Sequence, residues 1–326
     1  MAVSTKPTVY VTRHLPDEAW KRLWEFCRPA SWDFEYSPPS AVLRENVTDK
    51  AGLLCLLTDT IDAELMDSAP LLRVISQCAV GYDNIDVPAA TLRGIRVGNT
   101  PGVLTETTAD LAFCLLMAAA RRVVEGAEYV KAGRWQTWGL TLLLGQDVHG
   151  ATLGIVGMGR IGAAVARRAG GFGMRILYHD RVRKPALEVQ VGATFVSLDR
   201  LLSEADYVTL HVDLSASTQG LIGEAELDLM KPTAILINTS RGPVVQTAAL
   251  VTALKSGKIG AAALDVTDPE PLPGDHELLG LPNALVVPHI ASASSATRLR
   301  MAMMAVENLE AGLAGRPLPY SVNAPD

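Results

Sequence analysis

Hydrophobic residues fall into short runs that alternate with stretches of helical spacing. In the first hundred residues Thr8–Thr12, Leu53–Leu57, Arg73–Ser76 and Arg96–Gly98 read as strands, and Asp17–Phe26 as a helix. A second, longer series places strands at Thr152–Val156, Arg175–Tyr178, Tyr207–Val212, Ala234–Asn238, Gly260–Val266 and Ala284–Val287. These are almost wholly apolar, as parallel strands are when helices cover both sheet faces. Between the series a helix spans Glu106–Arg122, with Leu111, Leu115, Leu116 and Met117 at helical spacing. A last helix covers about Ala296–Ala314, closed by Gly312, Gly315 and Pro317.

The break at Asn99-Thr100-Pro101-Gly102 marks a crossing between domains, which places one domain at 1–100 and a second at 101–290. One helix after His289 is too little for a third. The chain has 326 residues and is 48% hydrophobic, enough for about two cores. A net charge of −6 argues against nucleic-acid binding, which needs a basic footprint. Cys27, Cys55, Cys78 and Cys114 lack paired spacing and sit among apolar residues, so the reading is four reduced, packed thiols in a cytoplasmic protein. The apolar run Leu111–Ala120, bounded by Asp110 and Arg121, is too short to span a bilayer and reads as a buried helix; Met1–Lys6 holds no leader core. No membrane partner is expected. The six histidines show no zinc-ligand spacing, so no metal site is expected either.

Gly157-Met158-Gly159-Arg160-Ile161-Gly162 follows an apolar strand and opens a helix, the context in which such a turn holds a dinucleotide. Gly157 permits the tight turn, Gly159 lets a pyrophosphate approach the backbone, and Gly162 lets helix and strand pack closely, while the helix start presents N–H groups to phosphate. The fold class is therefore α/β, two doubly wound parallel-sheet, Rossmann-like domains with an active-site cleft between them. Asp180 ends the next strand 18 residues beyond Gly162, where an acidic side chain takes the ribose hydroxyls of NAD. NAD(H) is favoured; Arg181, Arg183 and Lys184 keep NADP(H) possible.

Three later segments add chemistry: Asn238-Thr239-Ser240-Arg241-Gly242, Asp268-Pro269-Glu270-Pro271 and Pro288-His289-Ile290-Ala291-Ser292. They supply what reduction of a 2-keto acid needs: Arg241 to fix the substrate carboxylate, His289 to give the carbonyl oxygen a proton, and Glu270 to orient the imidazole. With Val80-Gly81-Tyr82-Asp83-Asn84-Ile85-Asp86 and Asn99-Thr100-Pro101-Gly102, these segments resemble the D-isomer-specific 2-hydroxyacid dehydrogenases, most closely the glyoxylate/hydroxypyruvate reductases. The resemblance runs from about residue 78 to 292.

The resemblance implies hydride transfer from NAD(P)H to a small 2-keto acid, glyoxylate or hydroxypyruvate, giving glycolate or D-glycerate. Alternatives are another D-2-hydroxyacid dehydrogenase, of phosphoglycerate or 2-ketogluconate type, or an NAD-sensing corepressor or scaffold. The early end of the chain leaves no room for the regulatory domain appended to many phosphoglycerate enzymes. In the family, residues matching 291–326 return to the first domain, which is flavodoxin-like. Leu210-His211-Val212 passes under the adenosine, Thr239 and the turn residues Arg160 and Ile161 join the cofactor site, and Asp265 meets the nicotinamide carboxamide. The Val80 and Gly81 backbone binds the substrate carboxylate, Leu57 and Thr58 border the pocket, and Ser292 is a candidate contact for substrate hydroxyls. Trp138 either reaches the neighbouring subunit's site or anchors the Trp135–Leu144 arm in a dimer interface. That arm and the apolar Leu111–Ala120 helix motivate the expectation of a homodimer. Asp213, Gln246 and Ala291 depart from the family's usual proline, aspartate and glycine.

Overall fold

The computed structural model describes residues 6–324. Residues 1–5, which make up most of the segment read as lacking a leader core, and residues 325–326 lie outside the described residues. The chain divides into two units, one running to Leu104 and resuming at Ala293, the other Thr105–Ser292.

In the first unit β1 (Thr8–Val11), β2 (Arg28–Ser31), β3 (Gly52–Cys55), β4 (Val74–Gln77) and β5 (Arg96–Gly98) form one sheet in the order β2-β1-β3-β4-β5. Every pairing is parallel. This is the flavodoxin-like order. All four residues of β3 and of β4 are buried, so both faces need covers. The helix Asp17–Phe26 and the final helix Ser295–Leu313 cover one face, packing Leu23, Ala302, Ala305, Val306 and Leu309 against Val9, Val11, Leu54 and Val74. Each fully buried Leu or Val there contributes roughly 1.5–3 kcal/mol. Asn308, wholly buried in the final helix, donates from Nδ2 to Asn99 O (2.9 Å) and accepts from Tyr320 N (3.0 Å).

In the second unit β6 (Thr152–Val156), β7 (Arg175–His179), β8 (Ala193–Phe195), β9 (Tyr207–Leu210), β10 (Ile235–Asn238), β11 (Ala261–Leu264) and β12 (Ala284–Val286) form a seven-stranded sheet in the order β12-β11-β10-β9-β6-β7-β8. It too is parallel throughout. The strand order reverses between β6 and β9, a switch point beyond whose carboxyl ends doubly wound sheets bind ligands. The helix Thr105–Ala120 lies on this unit, burying Ala109, Ala112, Phe113, Leu115 and Leu116 in one core with Ala163, Val165 and Ala166 of the helix Arg160–Gly170.

The sequence reading misses β2 and β8. Both are sheet edges, where half the hydrogen-bonding groups are unpaired and apolar selection relaxes; β2 even carries Pro29. One thiol also corrects the expectation of four packed cysteines: Cys27 and Cys55 are buried and Cys78 half-buried, but Cys114 is exposed on its helix. Burial pushes the Cys27 and Cys78 thiols up to about 12. Among the described residues no helix is long and apolar enough to cross a membrane, and no group of three or more His, Cys, Asp or Glu side chains could hold a metal ion.

Candidate active site

The glycine turn sits at the switch point. Gly157 follows β6 with φ +96°, and a Cβ there would lie 2.7 Å from His211 O just after β9. A Cβ on Gly162 would lie 2.1 Å from Gly157 O, so the helix beginning at Arg160 can lie this close to the strand only with glycine there. At Gly159, by contrast, an added Cβ meets nothing within 4 Å. The exposed backbone at Gly159 and Arg160 is thus an open cradle at a helix start, which fits the pyrophosphate of a dinucleotide. Ile161, half-buried, packs on the core beneath it.

Asp180 lies just past β7 and accepts Met158 N on Oδ2 at 3.0 Å, bracing the turn. Burial raises its pKa, but the hydrogen bond and charge of Lys184, with the Val182 and Met158 amides, prevail, and the net shift is downward. Lys184 Nζ lies 3.0 Å from that oxygen and also donates to Met158 O at 3.0 Å. His211 shares a hydrogen bond between Nε2 and Thr209 Oγ1 (2.9 Å) and a longer one between Nδ1 and Thr239 Oγ1 (3.5 Å). Burial pushes its pKa down to about 3, so at neutral pH it is an uncharged ring beside the turn.

The chemical groups stand on neighbouring loops after β10, β11 and β12. Asn238 Oδ1 accepts Ser240 N (3.0 Å) and Ser240 Oγ (2.8 Å), and its Nδ2 donates to Arg241 O (2.9 Å), fixing the loop that carries Arg241. Gly242 lies against the next loop so closely that a Cβ would be 1.8 Å from Thr267 O. Thr247 Oγ1 donates to Asp268 O (2.7 Å) and Thr267 Oγ1 to Pro269 O (2.8 Å), setting the approach to Glu270. Glu270 Oε1 lies 2.6 Å from His289 Nδ1, with both side chains partly exposed.

His289 has φ +50°, a left-handed conformation that a non-glycine residue holds only under surrounding constraint. Asp265 supplies that constraint. Its backbone O accepts His289 N (2.9 Å), and its carboxylate accepts Ile290 N (2.6 Å) and Ala291 N (2.9 Å). Burial raises the Asp265 pKa, partly opposed by those amides and by His289. Sequence reasoning gave Asp265 only a cofactor contact and missed this positioning role; an acid ending an apolar strand beneath the histidine loop was the available signal. Ser292 is buried three residues beyond His289.

In the first unit the Val80–Gly81 backbone is held by side-chain amides. Asn99 Nδ2 donates to Val80 O (2.7 Å) and Gln77 Nε2 to Gly81 O (3.1 Å). Gln77 also donates to Asn84 Oδ1 (2.7 Å), and Asn84 Nδ2 donates to Leu56 O (3.0 Å) and Asp59 O (2.8 Å), so Asn84 couples that segment to the Leu57–Thr58 loop. Asp59, 2% exposed, accepts Leu56 N at 2.7 Å. The sequence reading assigned no role to Gln77, Asn84 or Asp59; nothing in their spacing announces it. Trp138 is 77% exposed on the second unit, beside exposed Trp135, Leu140 and Leu144.

Residues 113–291 match the family described as D-isomer specific 2-hydroxyacid dehydrogenase, NAD binding domain, a span of more than half the chain. The chain belongs to that family. It is similar to a glyoxylate reductase of Korarchaeum cryptofilum, 56% identical over 319 residues, covering 98% of this chain and 96% of the relative. A crystal structure of a Thermus thermophilus protein superposes with a TM-score of 0.92 at 52% identity, covering 97% of this chain and all of the other. The NADPH-dependent glyoxylate/hydroxypyruvate reductase of Sinorhizobium meliloti, solved with NADP and malonate, superposes at 0.87 with 34% identity, covering 98% and 97%. The dehydrogenase is accordingly an enzyme, and its cofactor is a nicotinamide dinucleotide, which its glycine cradle fits.

Proposed function

We propose that this dehydrogenase reduces glyoxylate, and hydroxypyruvate with it, to glycolate and D-glycerate at the expense of NADH. The observation that carries the reading is the 2.6 Å contact between His289 Nδ1 and Glu270 Oε1, on loops adjoining the one that carries Arg241. The relatives named for glyoxylate reduction narrow the substrate.

Arg241 holds the substrate carboxylate through the two parallel donors of its guanidinium, which orients the carbonyl. The Val80 and Gly81 N–H groups, their flanking carbonyls pinned by Asn99 and Gln77, are assigned as further donors to a substrate carboxylate on the family resemblance. The Gly157–Gly162 cradle would hold the pyrophosphate of the dinucleotide, which when bound would supply the hydride from its reduced nicotinamide. As the carbonyl oxygen gains charge, His289 Nε2 delivers the proton, because Nδ1 is engaged by Glu270. The Glu270 carboxylate, 2.6 Å from Nδ1, orients the imidazole and fixes its tautomer. Asp265 keeps the loop in place throughout.

Asp180, ionised at the end of β7, favours the ribose hydroxyls of NADH over a 2′-phosphate. The chain works as a homodimer: the helix Val123–Lys131 buries none of its residues, and Val123, Val124 and Val130 are exposed with the Trp135–Leu144 arm. So large an apolar area is best covered by a second copy, and Trp138 belongs to that contact. Four free cysteines suit a reducing cytoplasm.

The test follows NADH absorbance with a panel of 2-keto acids. Glyoxylate and hydroxypyruvate should give the highest kcat/KM, ahead of pyruvate, 2-ketogluconate and phosphohydroxypyruvate. A higher value for any of those three, or no turnover of any acid, would overturn the assignment.

A further inference from the structure

The loop after β7 carries three cations, Arg181, Arg183 and Lys184, directly beyond the carboxylate assigned to the adenosine ribose. Such a loop would ordinarily draw a phosphate on the ribose 2′ oxygen, since guanidinium groups bind phosphate through paired charge-assisted hydrogen bonds. Here Lys184 and Arg183 are committed within the protein. Lys184 Nζ is shared between Asp180 Oδ2 and Met158 O. Arg183 faces Glu188 as a two-pronged fork, Nε to Oε1 and Nη2 to Oε2, both at 2.8 Å.

Glu188 is itself anchored. The phenol of Tyr178, whose side chain is buried in β7, donates to Glu188 Oε1 at 2.8 Å, and the same phenol oxygen accepts Lys184 N at 2.7 Å. One carboxylate thus ties strand, loop and the helix Pro185–Val191 together around Arg183. The Arg183 hydrogen bond, followed by that of Tyr178, holds the Glu188 carboxyl down to about 2, so the clamp stays charged at neutral pH. A solitary exposed ion pair would be a weak latch; a bidentate pair braced on a buried strand residue is a geometrically defined one. Arg181, by contrast, lies 3.9 Å from Asp213, with both side chains about three-quarters exposed, and forms no clamp of this kind among the described residues.

We propose that Glu188 is a specificity-determining positioning residue: by clamping Arg183 it withholds the loop's bidentate phosphate ligand from the ribose 2′ position, and so sets the preference for the cofactor without a 2′-phosphate. The inference rests on the reading of Asp180 as the ribose-binding carboxylate. Neither the charge of the loop nor Asp180 alone decides the choice; the loop holds the cations to accept a phosphate, and Glu188 keeps the best of them occupied.

Calorimetry with adenosine 5′-monophosphate and adenosine 2′,5′-bisphosphate isolates the 2′-phosphate without any turnover. Glu188→Gln should shift the affinity ratio toward the bisphosphate by about tenfold or more, the scale of a hydrogen bond to a charged group. Adding Arg183→Gln to it should erase the shift. Arg183→Gln alone should leave the ratio within about twofold of the parent, since a clamped arginine contributes little to the site and residual long-range charge is screened. A Glu188→Gln ratio like the parent's, or a gain that survives in the double variant, would overturn the proposal. If Glu188→Gln does not fold, the Arg183→Gln protein decides: a selective loss of bisphosphate affinity shows an already available arginine and refutes the clamp, and an unchanged ratio supports it. Failure of the parent to bind the monophosphate would overturn the ribose-site reading and the inference with it, an outcome distinct from a ratio that does not move.

Discussion

Gly162→Ala puts a methyl group where the structure has no room. The new Cβ would sit 2.1 Å from Gly157 O and 3.2 Å from both Gly157 C and Ile155 Cγ2. A carbon and a carbonyl oxygen rest at about 3.3 Å, so the two must part by roughly 1.2 Å. Gly157 is held in place: its N–H donates to His179 O at 2.8 Å, and it runs so close to His211 that a Cβ on it would lie 2.7 Å from His211 O. The helix Arg160–Gly170 must therefore move, carrying its phosphate-facing N–H groups with it. Overpacking of this kind costs about 1–3 kcal/mol, and a misplacement near 1 Å costs up to about 100-fold in a positioned interaction. NADH Kd, measured by fluorescence titration, should rise about 10- to 100-fold, and Tm should fall by roughly 2–12 °C. Gly159→Ala is the control. Its Cβ meets no protein atom within 4 Å, so Tm should hold while NADH binding still weakens, because the methyl intrudes on the cradle rather than on the fold. Parental NADH affinity in Gly162→Ala, or equal destabilisation by both substitutions, would refute the steric argument.

Asn84→Ala removes the donor to Leu56 O and Asp59 O and the acceptor of Gln77; losing such half-buried bonds should raise the glyoxylate KM by roughly 5- to 10-fold while NADH Kd holds, and an unchanged KM would mean the Val80–Gly81 segment is held without it. Glu188 has a folded pKa of about 2 against the ordinary 4.5, so the stability it contributes is complete above about pH 4.5 and is lost as pH falls toward 2; the stability curve of Glu188→Gln from urea denaturation should be flatter across that window, and a parallel acid limb would contradict the pairing. Sedimentation at micromolar concentration should give twice the 34.7 kDa chain mass, and Trp138→Ala should weaken that association; a single 34.7 kDa species in the parent would rule out the dimer.

The sheet strands and the glycine turn were legible because each leaves a local mark. An unbroken run such as Ile235–Asn238 reads as a strand buried on both faces, and a Gly-x-Gly-x-x-Gly run after a strand reads as a tight turn. The edge strands β2 and β8 were not legible, since an edge can be short, polar or interrupted by proline and still pair. Arg241, Glu270 and His289 were recognised as a set only through the wording around them; nothing in a 19-residue separation says that an imidazole and a carboxylate will meet at 2.6 Å. The groups that hold them were hidden more deeply. Asp265 acts through backbone amides and Asn84 through carbonyls, so their partners carry no side-chain signature, and the Glu188 clamp exists only once the loop after β7 has folded back on Tyr178.

In the proposed mechanism His289 delivers the proton as hydride reaches the carbonyl carbon. Rapid mixing of His289→Asn, saturated with NADH, against saturating glyoxylate measures that step directly, with NADH binding determined separately by titration. The rate constant for NADH oxidation should fall by about 10²- to 10⁴-fold while NADH Kd stays near the parent's. A rate within about threefold of the parent would place the proton donor elsewhere and contradict this role for His289.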